Sequence, residues 1–187
     1  MAAATRFCVV LLGLGILIAA TGVRESLAQS RPRVDAGARE ILAYRLSQDA
    51  LRRIDAVMRT MDLVPSRGPE APRGDVAIVV VLNMSFAYNE PWRAATVDET
   101  VRTIETGHHE LAVAIRRAGM STRDYVLAHM NLLLAYPVVA QRRQGRIVQV
   151  QDVAPENLAW VDANWADVER LMNDLRQRIA AARGGRP

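Results

Sequence analysis

Lysine is absent from this chain: all 24 basic residues are arginine. Such uniformity reflects a GC-rich coding sequence better than selection for phosphate binding. The arginines fall in ones and twos, interleaved with Asp and Glu, whereas a nucleic-acid binder gathers them on one face or strip. The formal charge of +4 therefore carries no nucleic-acid signature, and no nucleic acid is expected as a partner. Cysteine is nearly absent too. The one copy, Cys8, lies in the N-terminal apolar segment, so the rest of the chain has no disulfide, no thiolate nucleophile, no Cys metal ligand and no haem attachment. Aromatic residues make up 5%, and Trp92, Trp160 and Trp165 supply most of their bulk. Methionines are scattered over several segments, which suits gap-filling in a core better than a copper cluster.

What is present describes one domain. A length of 187 residues, half of them apolar and about a quarter charged, is enough for a single packed core. Residues 1–28 read as a cleavable export signal. Met1–Arg6 carries one positive charge, Phe7–Ala20 is an apolar run, and the polar stretch after it ends Ser26-Leu27-Ala28, with small residues where a signal peptidase reads. As a helix the apolar run would rise about 21 Å, short of the roughly 30 Å hydrocarbon core of a bilayer. Neither a lipoprotein-type cysteine nor a twin-Arg pair accompanies it. The expectation is Sec-type export to the periplasm or beyond, with no integral membrane segment left after cleavage. Removing Arg6, Arg24 and Glu25 leaves 22 Arg against 19 acids.

Residues 29–36 read as a disordered polar leader, 37–183 as one helical domain, and 184–187 as a frayed tail. Leu46, Ala50, Ile54, Val57, Met58 and Met61 recur every three or four positions, the stripe of a helix capped by Ser47 and ended by Pro65. Residues 65–74 are a loop by composition. The β-branched run from Val76 to Leu82 has two readings. It is a buried helix capped by Asp75 and reaching Tyr88, which the helical remainder of the chain favours, or a strand of a minor ribbon pairing 76–82 with 146–150. Thr96-Val97-Asp98-Glu99 has the form of a capping box and predicts a helix to about Gly107. A second short helix spans His109–Arg117 and is closed by Gly119. Ser121 and Asp124 start the next helix, Pro137 predicts a kink in it, and Gly145 ends it. Pro155 begins a last helix running to about Ala182, with a seam of Leu158, Val161, Trp165, Val168, Leu171, Met172, Leu175 and Ile179. The fold class is therefore all-α, a bundle of about five helices with that ribbon as its one uncertain element.

Chemistry has little to stand on. His109, Glu110 and His129 are the candidate metal ligands, a His/Glu/His set bridging two helices. His108 and His109 point about 100° apart on a helix and do not share a metal there, and Val113 stands where a zinc-protease helix needs its second His. His129 lies among Leu127, Met130 and Leu132, where a partly buried histidine with a backbone or carboxylate partner is the plainer reading. Asp162, Asp167, Glu169 and Asp174 read as a solvated, salt-bridged helix face. No Gly-x-Ser-x-Gly elbow and no phosphate-cradling glycine loop occurs, so no catalytic residue and no cofactor is assigned.

The segment from Ala118 to Leu127 (AGMSTRDYVL), followed by Val153–Leu158 (VAPENL) and a long terminal helix, resembles a loose group of small exported, all-helical bacterial proteins over residues 98–180. The resemblance implies a helical fold and no particular chemistry. Periplasmic stress chaperones with Leu-Thr-x-x-Gln repeats are a second comparison; here Leu46-Ser47-Gln48 departs from that motif and no second copy follows. The leading expectation is a non-enzymatic exported domain that binds a partner protein of the cell envelope through an apolar groove flanked by Arg, with an exposed apolar patch. A metal- or small-ligand-binding bundle using His109, Glu110 and His129, and a chaperone-like protein, are the alternatives.

Overall fold

Ser47 opens the first long helix as its sequence context requires. Its backbone is extended (φ −144°, ψ 159°) and its Oγ accepts the Ala50 N–H at 3.1 Å. The computed structural model describes residues 36–64, 73–79, 94–148 and 153–182, all within the unit 34–187. The regular elements among them are helices: α1 Ala36–Ala43, α2 Gln48–Asp62, α3 over 74–79, α4 Ala94–Gly107, α5 His109–Arg117, α6 Thr122–Arg143, α7 Pro155–Ala163 and α8 Trp165–Ala182. The segment expected to be an export signal, the expected leader up to residue 35 and the expected tail lie outside the described residues. Ala36, expected in the leader, instead opens α1.

Local chemistry sets most of the ends. Ser121 Oγ accepts the Asp124 N–H at 3.0 Å and donates to Asp124 Oδ2 at 2.6 Å, and Pro155 takes the first position of α7. Gly119 and Gly145 close α5 and α6 at φ +76° and +77°. In each case the following N–H reaches back to a carbonyl of the last turn, Met120 to Ile115 at 3.2 Å and Arg146 to Gln141 at 3.0 Å.

Four expectations change. Among the described residues there is no strand: 76–79 is helical and 146–148 is irregular, so the ribbon does not form there, and its remaining residues lie outside the description. Val76, Ile78 and Val79 are all buried, and core packing overrides their strand propensity, with no partner strand among the described residues. Asp75 is not the cap of α3. The Ala77 N–H bonds to the Arg73 carbonyl at 2.9 Å, which places Arg73 at the cap and Asp75 in the first turn. α4 begins at Ala94, two residues before the capping-box threonine, because Ser/Thr-to-Glu spacing of three also occurs inside a helix and two alanines extend it. The single terminal helix is two helices. Asn164 (φ −109°, ψ 28°) interrupts it, donating from both its backbone N–H and Nδ2 to the Trp160 carbonyl at 3.0 and 2.8 Å.

α6 is the centre of the bundle. Every residue from Tyr125 to Leu132 is buried, so the helix has no wet side there, and α1, α2, α4, α5, α7 and α8 all pack on it. It runs through Pro137, which is exposed, to Arg143 without interruption. Arg123 grips Glu40 with a two-pronged contact at 2.5 Å and Asp98 at 2.7 Å, tying α1 and α4 to the start of α6.

Candidate functional site

The expected metal ligands are not brought together. His109 and Glu110 are exposed in the first turn of α5, while His129 is buried in the middle of α6. Among the described residues no three His, Cys, Asp or Glu side chains gather as a metal site. His129 packs its ring 4.4 Å from that of Tyr125, tilted at 52°, and its Nδ1 has no hydrogen-bond partner. Burial pushes its pKa down to about 4, with the Tyr125 backbone carbonyl pulling weakly the other way, so the ring is neutral near pH 7. His108 is half-buried at the α4–α5 junction and packs on Gly74. A Cβ at Gly74 would lie 3.1 Å from His108 Nδ1, a tight contact that asks the imidazole to give by a few tenths of an ångström.

A charged cluster that sequence reading missed lies at that root. Arg178 on α8 holds Asp62, at the end of α2, with both Nη atoms at 2.5 and 2.7 Å, and Asp174 at 3.1 Å. Arg73 reaches Asp62 at 2.9 Å and the Met61 carbonyl at 3.1 Å. These two guanidiniums hold the Asp62 carboxyl below its usual range, against burial that acts to raise it. Asp75 is buried behind them. Its members lie far apart in sequence, and only the odd charge beside an apolar run could have flagged Asp75.

Two of the concavities among the described residues are large enough to admit a ligand. The larger, about 780 Å³ between α2 and α8, is walled by Asp55, Arg59, Asp62, Glu169, Asp174 and Arg178. Most of these charges already pair with one another, Arg59 with Asp55 at 2.7 Å for example, and the apolar lining of the cleft comes from Ala166 and Leu171 alone. The acids of α7 and α8 are accordingly the salt-bridged face expected of them, with Asp162 on Arg143 at 2.5 Å.

The second, about 590 Å³, lies between the end of α6 and the start of α7. Val139, Val153, Pro155, Leu158 and Ala159 make it apolar, and Arg142, Arg143 and Asp162 stand at its rim. Arg143 also lies 5.1 Å over the Trp165 ring. Trp165 stacks in parallel on Tyr136 (5.1 Å, 3°), and the Arg176 guanidinium lies 5.5 Å from the Tyr136 ring and donates to its hydroxyl at 2.6 Å. Trp165 thus sits on the seam and carries a surface ladder of rings and guanidiniums. An extended apolar patch, expected for partner binding, is not found among the described residues; the exposed large apolar side chains there are Leu63 and Ile147, on separate turns. The reachable apolar surface is gathered in the groove instead. No protein-family model, no curated protein and no solved structure matches this chain.

Proposed function

We propose that this chain is a non-enzymatic, exported helical domain that binds a partner polypeptide of the cell envelope through the α6–α7 groove. The occupant is a segment that inserts an apolar side chain between Val139 and Leu158 and sets carboxylates against Arg142 and Arg143. The observation that carries this reading is the pairing of an apolar floor with an arginine rim. Arg142 ion-pairs with no carboxylate among the described residues, and Arg143 is shared between Asp162 and the Trp165 ring. A partner carboxylate therefore finds one guanidinium open and another already oriented. An apolar anchor in a small pocket with charges around it is the usual source of affinity and register in such contacts.

Site-specific photo-crosslinking in the native cell tests it, with the crosslinker at Ala159 in the groove and, as control, at Ala166 on the polar cleft. The expected result is a polypeptide adduct at 159 and none at 166, abolished by Arg142→Glu with Arg143→Glu. An adduct of lipid or small-molecule mass, or equal adducts at both positions, refutes the partner reading. Export has its own readout: the mature protein is expected to begin at Gln29 outside the cytoplasm, and an unprocessed cytoplasmic chain refutes it.

A further inference from the structure

Among the described residues Asp75 is the only buried carboxylate, 1% exposed, and it is held less well than any acid around it. Its Oδ1 accepts the Val76 N–H at 2.9 Å, and its Oδ2 has no hydrogen bond. The two guanidiniums nearest it, Arg73 and Arg178, both stop 3.8 Å short. Each is turned toward other acids, Arg73 to Asp62 and Arg178 to Asp62 and Asp174. Three carboxylates thus share two guanidiniums, and the one deepest in the protein is left with the poorest geometry. A buried charge that is neither paired closely nor fully hydrogen-bonded costs far more than the neutral acid in the same place.

We propose that Asp75 is a proton-operated latch on residues 73–79, closed when Oδ2 carries a proton and loosened when it is a carboxylate. One proton brings the three acids and two arginines to neutrality and removes the uncompensated buried charge, so the root of α3 seats firmly against α2, α6 and α8. Every packed element presents its groups to this spot. Asp62 comes from α2, Arg73 from the turn before α3, and Asp174 and Arg178 from α8. From α6 come Tyr125, whose pKa burial and Asp75 raise, and His129, whose ring lies tilted against it. His108 closes over Gly74 from the α4–α5 junction. Burial raises the Asp75 pKa above its ordinary value, Arg73, the Val76 N–H and Arg178 pull it down, and Asp62 pushes it up further. A raised acid pKa in the folded state means stability from this group is greatest at low pH and is lost as pH rises through the folded value. This latch is independent of the groove reading.

Thermal melts of the full chain between about pH 5 and about pH 8 test it, wild type against Asp75→Asn. The neutral isostere is expected to melt about 3 °C or more above wild type at the upper end, with the advantage smaller at the lower end and vanishing only below the unfolded carboxyl pKa of about 3.9. Protonation of His129 is common to both proteins and cancels in the difference. A difference that does not change with pH, or a variant that is less stable at the upper end, overturns the latch. Hydrogen exchange of the wild-type 76–79 amides, corrected for intrinsic rates and referred to those of α6, gives a second reading. Protection severalfold higher at about pH 5 than at about pH 8 supports the latch, and equal protection overturns it.

Discussion

Asn157 donates from Nδ2 to Asn131 Oδ1 at 2.6 Å in the core, and backbone groups take up the remaining capacity of both carboxamides. Asn157 Oδ1 accepts the Leu46 N–H and its Nδ2 also donates to the Tyr44 carbonyl, both at 2.9 Å. Asn131 Nδ2 donates to the carbonyls of Ile41 at 3.1 Å and Leu127 at 2.9 Å. The irregular link between α1 and α2 would otherwise bury unpaired backbone atoms against α6 and α7. The two side chains pair the Leu46 N–H and the Ile41 and Tyr44 carbonyls, and that fixes the link.

Asn157→Ala is therefore expected to cost about 2 kcal/mol, since it strands the buried Leu46 N–H and removes one of the two donors to the Tyr44 carbonyl, which Arg45 Nη1 also reaches. The midpoint of urea unfolding of the full chain checks this. A loss under about 1 kcal/mol would mean that water reaches the link.

Gly119→Ala meets two obstacles, a left-handed backbone and Arg53 Nη1 lying 2.6 Å from where its Cβ would be. Arg53 donates to the Gly119 carbonyl while its Nε holds Asp49 at 2.6 Å, so it cannot withdraw freely. The expected loss is about 2 kcal/mol. Adding Arg53→Ala to Gly119→Ala should cost less than the two single losses combined, which a double-mutant cycle measures.

His129 makes stability fall with acidification. Its pKa is lowered to about 4 in the folded protein, so the unfolded chain takes up the proton first. Stability is full above the unfolded pKa of about 6.5 and declines by up to about 3 kcal/mol as pH falls toward 4. His129→Leu should flatten that part of the curve in denaturant titrations at a series of pH values. An unchanged slope would assign the acid sensitivity to other groups.

Arg178→Gln removes the guanidinium that Asp62 and Asp174 share and leaves Asp75 with Arg73 alone. A loss of about 3 kcal/mol is expected near neutral pH, smaller in acid where Asp75 is protonated. Equal losses at both pH values would show that the Arg178 contacts to the more exposed Asp62 and Asp174 carry the effect.

Much of the fold was legible because its signals are local. Ser47, Ser121, Pro155, Gly119 and Gly145 act within one turn of themselves, and each ends or begins a helix as read. Asn164 is local too, yet an asparagine inside a good apolar seam gives no warning that it will bond back to Trp160. α1 was overlooked because it has barely two turns and borrows its stability from α4 and α6. The site was least legible. Its parts come together only in three dimensions: Arg142 with Leu158, Tyr136 with Trp165, Asp75 with Arg178. Sequence spacing favoured His109, Glu110 and His129 as a set, but whether two helices turn such residues toward each other depends on packing that spacing does not encode.

The Asn157 clamp also has a timetable. It joins Tyr44 to a residue 113 positions later, and Arg178 reaches back 120 positions to the Met58 carbonyl. A nascent chain ending before Asn157 has no partner for the buried Leu46 N–H, and one ending before Arg178 lacks the main hold on the end of α2. Folding is thus deferred until nearly the last helix has been made. For the exported chain proposed above, that delay keeps the polypeptide threadable for almost the whole of its synthesis, and the fold closes only after its tail has arrived.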